Sequence, residues 1–273
     1  SRLLGQDPSL VLHGGGNTSV KITQTNIVGE QEEILYVKGS GWDLISIEEA
    51  GFSPVRIEHM LRLAKLDKLS DPQMVNELKT QLTNSSAPAP SVETILHAIL
   101  PFKYVDHTHA DAVVTITNTD NGIDKIREIY GDKVVVVPYV MPGFDLAKDV
   151  DRIFSEHATD KTEGMVLLNH GIFSFGNGAK EAYDRMIDLV GLAEKYLIDQ
   201  NAWELNQPLG DVESNPVRDE IAQLRSNISK VVDSPMLFSL TNSKNGIDFA
   251  ISSVIPPYKI LNVICFDSSY VHP

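Results

Sequence analysis

Two segments near the start of the chain alternate apolar and polar side chains, Thr18–Thr23 and Glu33–Val37, with a polar stretch, Asn26–Gln31, between them. Successive strand residues point to opposite faces, so this period of two predicts a hairpin. Pro54–Leu66 has apolar residues three and four apart, the spacing of an amphipathic helix, and a second helix is expected over Pro72–Leu82. The breaker-rich run Asn84–Pro90 must be a loop. Ser91–Leu100 then reads as a short helix capped by Ser91 and stopped by Pro101. Lys103–His109 and Ala112–Thr117 look like strands, Asp124–Tyr130 like a helix and Lys133–Val137 like a buried strand. Asp145–His157 is expected to be helical, with short strands at Gly164–Leu168 and Ile172–Phe175. A long helix covers Ala179–Asp199, with apolar residues at 183, 186, 187, 190, 193 and 197. The character changes after Gln207-Pro208, so the main domain is placed at 1–207 and a C-terminal extension at 208–273. The extension holds one more amphipathic helix within Val212–Val232 and a weakly patterned tail. Strands do not alternate strictly with helices. That favours an α/β fold with a mixed or antiparallel sheet flanked by helices over a doubly wound parallel sheet.

The net charge of −14 argues against nucleic acid or an anionic membrane as partner, since both require basic patches. It also means that an anionic substrate has to be met by a local positive feature. The single cysteine, Cys265, permits no intramolecular disulfide and fits a reducing, cytoplasmic setting. No signal-peptide pattern is visible, and no apolar run approaches the roughly 18 residues of a membrane span.

His107-Thr108-His109 carries the strongest chemical signal. On a strand, residues two apart share a face, so the two imidazoles stand side by side. His170, behind the apolar run Met165–Leu168 and before Gly171, offers a third ligand. Three neutral imidazoles with one position open are the layout of a catalytic zinc. Two half-buried histidines bonded to backbone would give the same local pattern. Glu93 lies at the start of the helix after Ser91, where a carboxylate is also favoured by the helix dipole alone. His97, one turn later, either hydrogen-bonds Glu93 or packs behind it. Asp106 and Asp111 flank the pair, and one of them could orient a ligand imidazole through its second nitrogen.

Two glycine loops complete the inventory. His13-Gly14-Gly15-Gly16-Asn17 lacks the nucleophile elbow that a lipase oxyanion loop needs, and its glycines run into a strand, unlike a dinucleotide fingerprint. Lys38-Gly39-Ser40-Gly41 is the second loop. Backbone N–H nests in both loops, the lysine and the helix start at Ser91 could together hold a phosphate. Each loop alone is as readily a plain turn.

Read in order, Gly14-Gly15-Gly16-Asn17-Thr18-Ser19, Lys38-Gly39-Ser40-Gly41, Ser91-Val92-Glu93, His107-Thr108-His109-Ala110-Asp111 and Asn169-His170-Gly171 resemble the class II aldolase/adducin family. The phrases SVETILHAILPFKYVDHTHADAV and LLNHGIFSFG are most similar to the aldolase part of the rhamnulose-1-phosphate aldolase/alcohol dehydrogenase proteins. The resemblance implies a three-layer α/β/α fold around a mainly antiparallel sheet. It implies Zn2+ on His107, His109 and His170, with Glu93 as acid/base. It also implies phosphate contacts from Asn17, Ser40, Gly41 and Ser91, with Lys38 nearby, and a homotetramer with sites near subunit interfaces. Relative to the small aldolases, Ile45–Pro90 is an insertion and Val92 stands where they have serine. No counterpart of the nucleotide-binding domain of the large proteins is seen, so no dehydrogenase activity is expected of these residues. The implied activity is cleavage of a ketose 1-phosphate, L-rhamnulose 1-phosphate above others, to dihydroxyacetone phosphate and an aldehyde. Epimerisation, dehydration or decarboxylation at the same site, and a non-catalytic adducin-like scaffold, are the alternatives.

Overall fold

The structure, a computed structural model, describes residues 1–203 and 218–237. The chain divides into two compact units, the first being Ser1–Glu204. Within it the elements run α1 (Arg2–Gly5), β1 (Asn17–Thr25), β2 (Gln31–Lys38), β3 (Phe52–Arg56), α2 (Ile57–Leu63), α3 (Asp71–Thr80) and α4 (Thr94–Ile99). They continue with β4 (Tyr104–Thr108), α5 (Asp111–Thr117), α6 (Gly122–Tyr130), β5 (Val134–Val137), α7 (Phe144–His157), β6 (Gly164–Leu167), β7 (Gly171–Gly176) and α8 (Ala179–Asp199). In the second unit α9 spans Arg218–Val231, inside the helix expected there. The expected division at 207/208 lies outside the described residues.

All seven strands join one sheet in the order β3-β2-β1-β4-β7-β6-β5. Every pairing is antiparallel except β5 with β6. The β1–β2 hairpin pairs Ser19 with Val37 through Thr25 with Gln31, as the alternation predicts. One face of the sheet buries Leu35, Val37, Val105, Val135, Met165, Phe173 and Phe175 under helices that include α2, α4 and α7. The other buries Val134, Val166 and Ile172 under α5, α6 and α8. This is the three-layer α/β/α architecture with a mainly antiparallel, mixed sheet.

Three local expectations are corrected. Pro54 does not open a helix. It sits in β3, at the sheet edge where a residue without an N–H is tolerated, and the helix starts at Ile57. Ala112–Thr117 is helical: Ala112, Val113, Ile116 and Thr117 are buried while Asp111 and Thr115 are exposed. That spacing overrides the strand preference of a β-branched run. Ser91 is not the cap of α4. Glu93 holds the N-cap position, and Ser91 closes the preceding turn by accepting the Thr94 N–H at 3.1 Å on its carbonyl. The helix therefore carries a carboxylate residue at its N-cap position, with no side-chain cap hydrogen bond. Along α8, Met186, Val190, Ala193 and Leu197 are buried as the pattern predicts, while Ile187 is exposed.

An aromatic cluster anchors the first face. Phe175 stacks on Phe102 at 4.1 Å between centroids and meets Phe154 edge-on at 5.5 Å. Removing it forfeits both contacts and leaves a cavity, so Phe175→Ala is expected to cost about 3–5 kcal/mol of unfolding free energy. Denaturant melts of the two proteins check this.

Candidate metal centre

His107 is the penultimate residue of β4, on the face that carries Val105, and His109 follows immediately beyond the strand. Their ring centroids lie 4.9 Å apart, and that of His170 lies 5.1 Å from each. One ligand nitrogen from each of the three lies within 4.8 Å of the others. The sequence brought three distant histidines forward as a set, and the fold gathers all three.

Two of the rings are aimed by separate devices. His107 Nδ1 lies 3.0 Å from the Ile172 carbonyl, an acceptor only, so Nδ1 carries the proton and Nε2 presents its lone pair to the centre. Phe173 stacks beneath the same ring at 4.1 Å. Neither Asp106 nor Asp111 orients His107. Asp106 points to the opposite face, beside Thr18 and Tyr104, where burial pushes its carboxyl up to about 6 and the N-terminal amine partly offsets this. His170 is turned inward by Asn169, which adopts a left-handed backbone (φ 58°) that asparagine tolerates. The Asn169 amide also donates to Asn118 Oδ1 at 2.6 Å and to the Thr117 carbonyl at 3.3 Å. Gly171 lets the strands close: a Cβ there would meet the Thr108 carbonyl oxygen at 2.4 Å and His107 Cε1 at 3.0 Å.

Glu93 faces the rings. Its Oε2 lies 3.7 Å from His107 Nε2 and its Oε1 lies 3.6 Å from His170 Nε2. Burial, reinforced by His109 and His170, pushes His107 well below the usual histidine range. Burial and His170 also lower His109, against the pull of Glu93. Neutral rings are the protonation state a metal ligand requires. His107 Nε2, His170 Nδ1 and Glu93 Oε1 are buried without a hydrogen-bond partner. Leaving three such atoms unsatisfied is costly in a folded interior. An ion bound between the imidazoles would take up the His107 Nε2 lone pair, and among the described residues the groups that converge here as a ligand set are three histidines. The donor set therefore fits a divalent metal.

The residues expected to meet phosphate surround this centre unevenly. An antiparallel bridge between Gly39 and Pro90 lays the Lys38–Gly41 loop against the turn that carries Ser91. Gly39 is required there, since a Cβ would meet Pro88 Cγ at 2.3 Å. Ser40 and Gly41 are exposed, but the Ser40 N–H is bonded to the Ala89 carbonyl. Lys38 is buried and donates to the Gly14 carbonyl at 2.9 Å, tying the two glycine loops together. Burial lowers its affinity for a proton, and Asp43 and Glu93 raise it. In the first loop, the Gly15 N–H is bonded to the Leu12 carbonyl, so it does not add to an anion nest. The Asn17 amide nitrogen donates to Glu93 Oε2 at 2.6 Å and to Ser91 Oγ at 3.3 Å. The His97 ring reaches the Glu93 carboxylate through Asn17, whose Oδ1 it contacts through Nε2, while the His97 backbone N–H donates to the Glu93 carbonyl at 3.0 Å.

The family described as Class II Aldolase and Adducin N-terminal domain matches residues 1–197. The chain belongs to the class II aldolase/adducin family. It is 33% identical over 275 residues to the uncharacterized oxidoreductase YuxG of Bacillus subtilis (strain 168), a match that takes in 98% of this chain and 39% of the relative. The chain thus spans about two fifths of the length of that curated relative. Among solved structures, the N-terminal class II aldolase domain of a conserved Thermoplasma acidophilum protein is 49% identical, with a TM-score of 0.67 over 72% of this chain and 89% of that one. A sugar-phosphate aldolase from Thermotoga maritima shares the fold at 16% identity, with a TM-score of 0.53 over 76% of this chain and 93% of its own. Class II aldolases typically use a divalent metal, and the histidine cluster is where this member would hold one. Among the described residues, no helix is long and apolar enough to cross a membrane.

Gly171→Ala tests the closure of the site. The added methyl has to displace the β4 carbonyl or the ligand rings, so divalent-metal affinity is expected to fall at least about tenfold while the fold survives. Isothermal titration with zinc, alongside a thermal melt, reads both effects.

Proposed function

We propose that this protein is a zinc-dependent aldolase that cleaves a ketose 1-phosphate, L-rhamnulose 1-phosphate being our first choice, to dihydroxyacetone phosphate and a small aldehyde. The observation that carries the reading is the meeting of three imidazoles with a buried carboxylate whose Oε1 has no partner. His107, His109 and His170 hold the ion, and Glu93 stands beside it as the acid/base. The metal, when bound, supplies Lewis-acid stabilisation to negative charge that develops on the substrate carbonyl oxygen.

The residues of the chain do the rest. When the carbon–carbon bond breaks, its electron pair stays with the dihydroxyacetone phosphate fragment, and Glu93 delivers a proton to that carbon. In the synthetic direction Glu93 removes the same proton. The hydroxyl that becomes the aldehyde loses its proton to a group at the distal end of the substrate, which we assign to a neighbouring subunit of a homotetramer. Lys38, Ser40, Gly41 and Ser91, brought together by the Gly39–Pro90 bridge, supply the anion pocket in an otherwise acidic protein. The lone cysteine fits a cytoplasmic enzyme.

Two measurements test this reading. Glu93→Gln keeps size and removes the proton acceptor. It is expected to retain one zinc per chain by elemental analysis and to lower kcat on a ketose 1-phosphate panel by about 10²–10⁴. Turnover within a few-fold of the wild type would reduce Glu93 to a helix-capping carboxylate. Inorganic phosphate is expected to inhibit competitively, and Ser40→Asp, which adds a negative charge to the pocket, to raise KM for the phosphorylated substrate by more than tenfold. Full activity in Ser40→Asp with no inhibition by phosphate would remove the phosphate. Turnover of the panel without aldehyde release would favour epimerisation, dehydration or decarboxylation at the same site.

A further inference from the structure

Behind Glu93 lies a line of buried polar groups that metal binding does not use. Asn17 and Ser19 are two apart on β1 and face the same way, toward α4. His97, fully buried on α4, lies between them in space: its Nδ1 is 2.8 Å from Ser19 Oγ, and its Nε2 contacts Asn17 Oδ1. The Phe173 ring lies 5.5 Å away, and Lys21, which donates to the Ala98 carbonyl at 3.0 Å, is near enough to disfavour a positive charge on the His97 ring. The Asn17 amide then continues to Glu93.

The direction of each bond follows from what each group can do. Asn17 turns its NH₂ to Glu93 Oε2 and its oxygen to His97, and an amide oxygen only accepts. His97 Nε2 must then carry the proton. Burial holds this ring neutral, down to about 3, so it has one N–H and no more, and Nδ1 must accept from the Ser19 hydroxyl. Every donor points toward Glu93. Such a run of bonds strengthens its members and fixes their orientation. It ends on Oε2 and leaves Oε1 free, facing His170. Both hydrogens of the Asn17 amide are already occupied, one by Glu93 and one by Ser91 Oγ, so none remains for a substrate oxyanion.

We infer that His97 and Ser19 are positioning residues acting through Asn17, that the chain Ser19→His97→Asn17→Glu93 pins Oε2, and that Oε1 is the oxygen that exchanges the proton with substrate. The part concerning proton exchange rests on the aldolase reading above. Asn17 thereby serves the carboxylate rather than the anion pocket that family resemblance assigns it to.

The test uses the zinc-loaded protein and two readouts. Nitrogen-15 NMR of labelled histidine reads the tautomer without any substrate: His97 is expected as Nε2–H with an accepting Nδ1, unchanged between about pH 6 and 9. A proton on Nδ1 would overturn the chain. For kinetics, His97→Ala is expected to lower kcat by roughly 10–100-fold, the scale of a misplacement near 1 Å, while KM and the inhibition constant for inorganic phosphate stay within about threefold. Asn17→Ala is expected to behave in the same way. His97→Gln, which offers an amide donor to Asn17 and an acceptor to Ser19, should recover most of the lost kcat and hold the thermal midpoint. Full kcat in His97→Ala with an inactive Glu93→Gln would overturn the inference while leaving the aldolase reading standing. So would an Asn17→Ala protein that binds phosphate more than tenfold more weakly. If Glu93→Gln is itself fully active, the aldolase reading falls, and the His97 tautomer decides the hydrogen-bond chain alone.

Discussion

Desolvation governs the site from which everything else in this molecule takes its meaning. His107 is fully enclosed, sandwiched over Phe173 with its Nδ1 proton committed to a backbone carbonyl. A charged imidazolium there would have no water, and the two neighbouring imidazoles would repel it. The ring is therefore held neutral with one lone pair available, and the only outlet for that lone pair is the space it shares with His109, His170 and Glu93. Buried polar atoms that lack partners are costly in a folded interior, and an ion bound between these rings would offset that cost. The architecture can be understood as what is needed to hold these groups in that condition.

The sheet order supplies the convergence. β4 pairs with β1 on one side and β7 on the other, so Asn17, His107 and Phe173 fall in register across three strands. The turn before β7 delivers His170, and α4, packed on the same face, delivers Glu93 and His97. Glycines appear where backbones must touch: Gly171 beside Thr108, and Gly16, at φ 63° and against the His107 carbonyl. Four segments distant in sequence are thereby fixed to one point by rigid elements, the arrangement that precise chemistry requires.

Much of this was legible in the chain. The alternating hairpin, the long α8 and the His-x-His spacing each rest on a strong periodic or geometric rule, and each appears as expected. Errors fell where local preference and tertiary burial disagree. Ala112–Thr117 is rich in β-branched residues, yet it turns one helical face to α8. Pro54 begins an apolar spacing that only an edge strand can use. Asn17 is a case of another kind. Its position in a glycine loop suggests an anion ligand, and nothing in the sequence shows that β1 will lay it between Glu93 and His97. A signal was present nonetheless. His97 is the one titratable residue in the otherwise apolar stretch 95–99, and Asn17 and Ser19 are polar residues at strand spacing. Polar groups in such company need partners, and they find one another.

The central claim is that three imidazoles, and no other side chains of the protein, hold one divalent ion. X-ray absorption at the zinc edge of the fully loaded enzyme tests it most directly. The account predicts three imidazole nitrogens at about 2.0–2.1 Å, lighter oxygen scatterers from solvent completing the shell, and no sulfur. A shell with a sulfur ligand, with fewer than three imidazoles, or unchanged when His170 is replaced by alanine would contradict it.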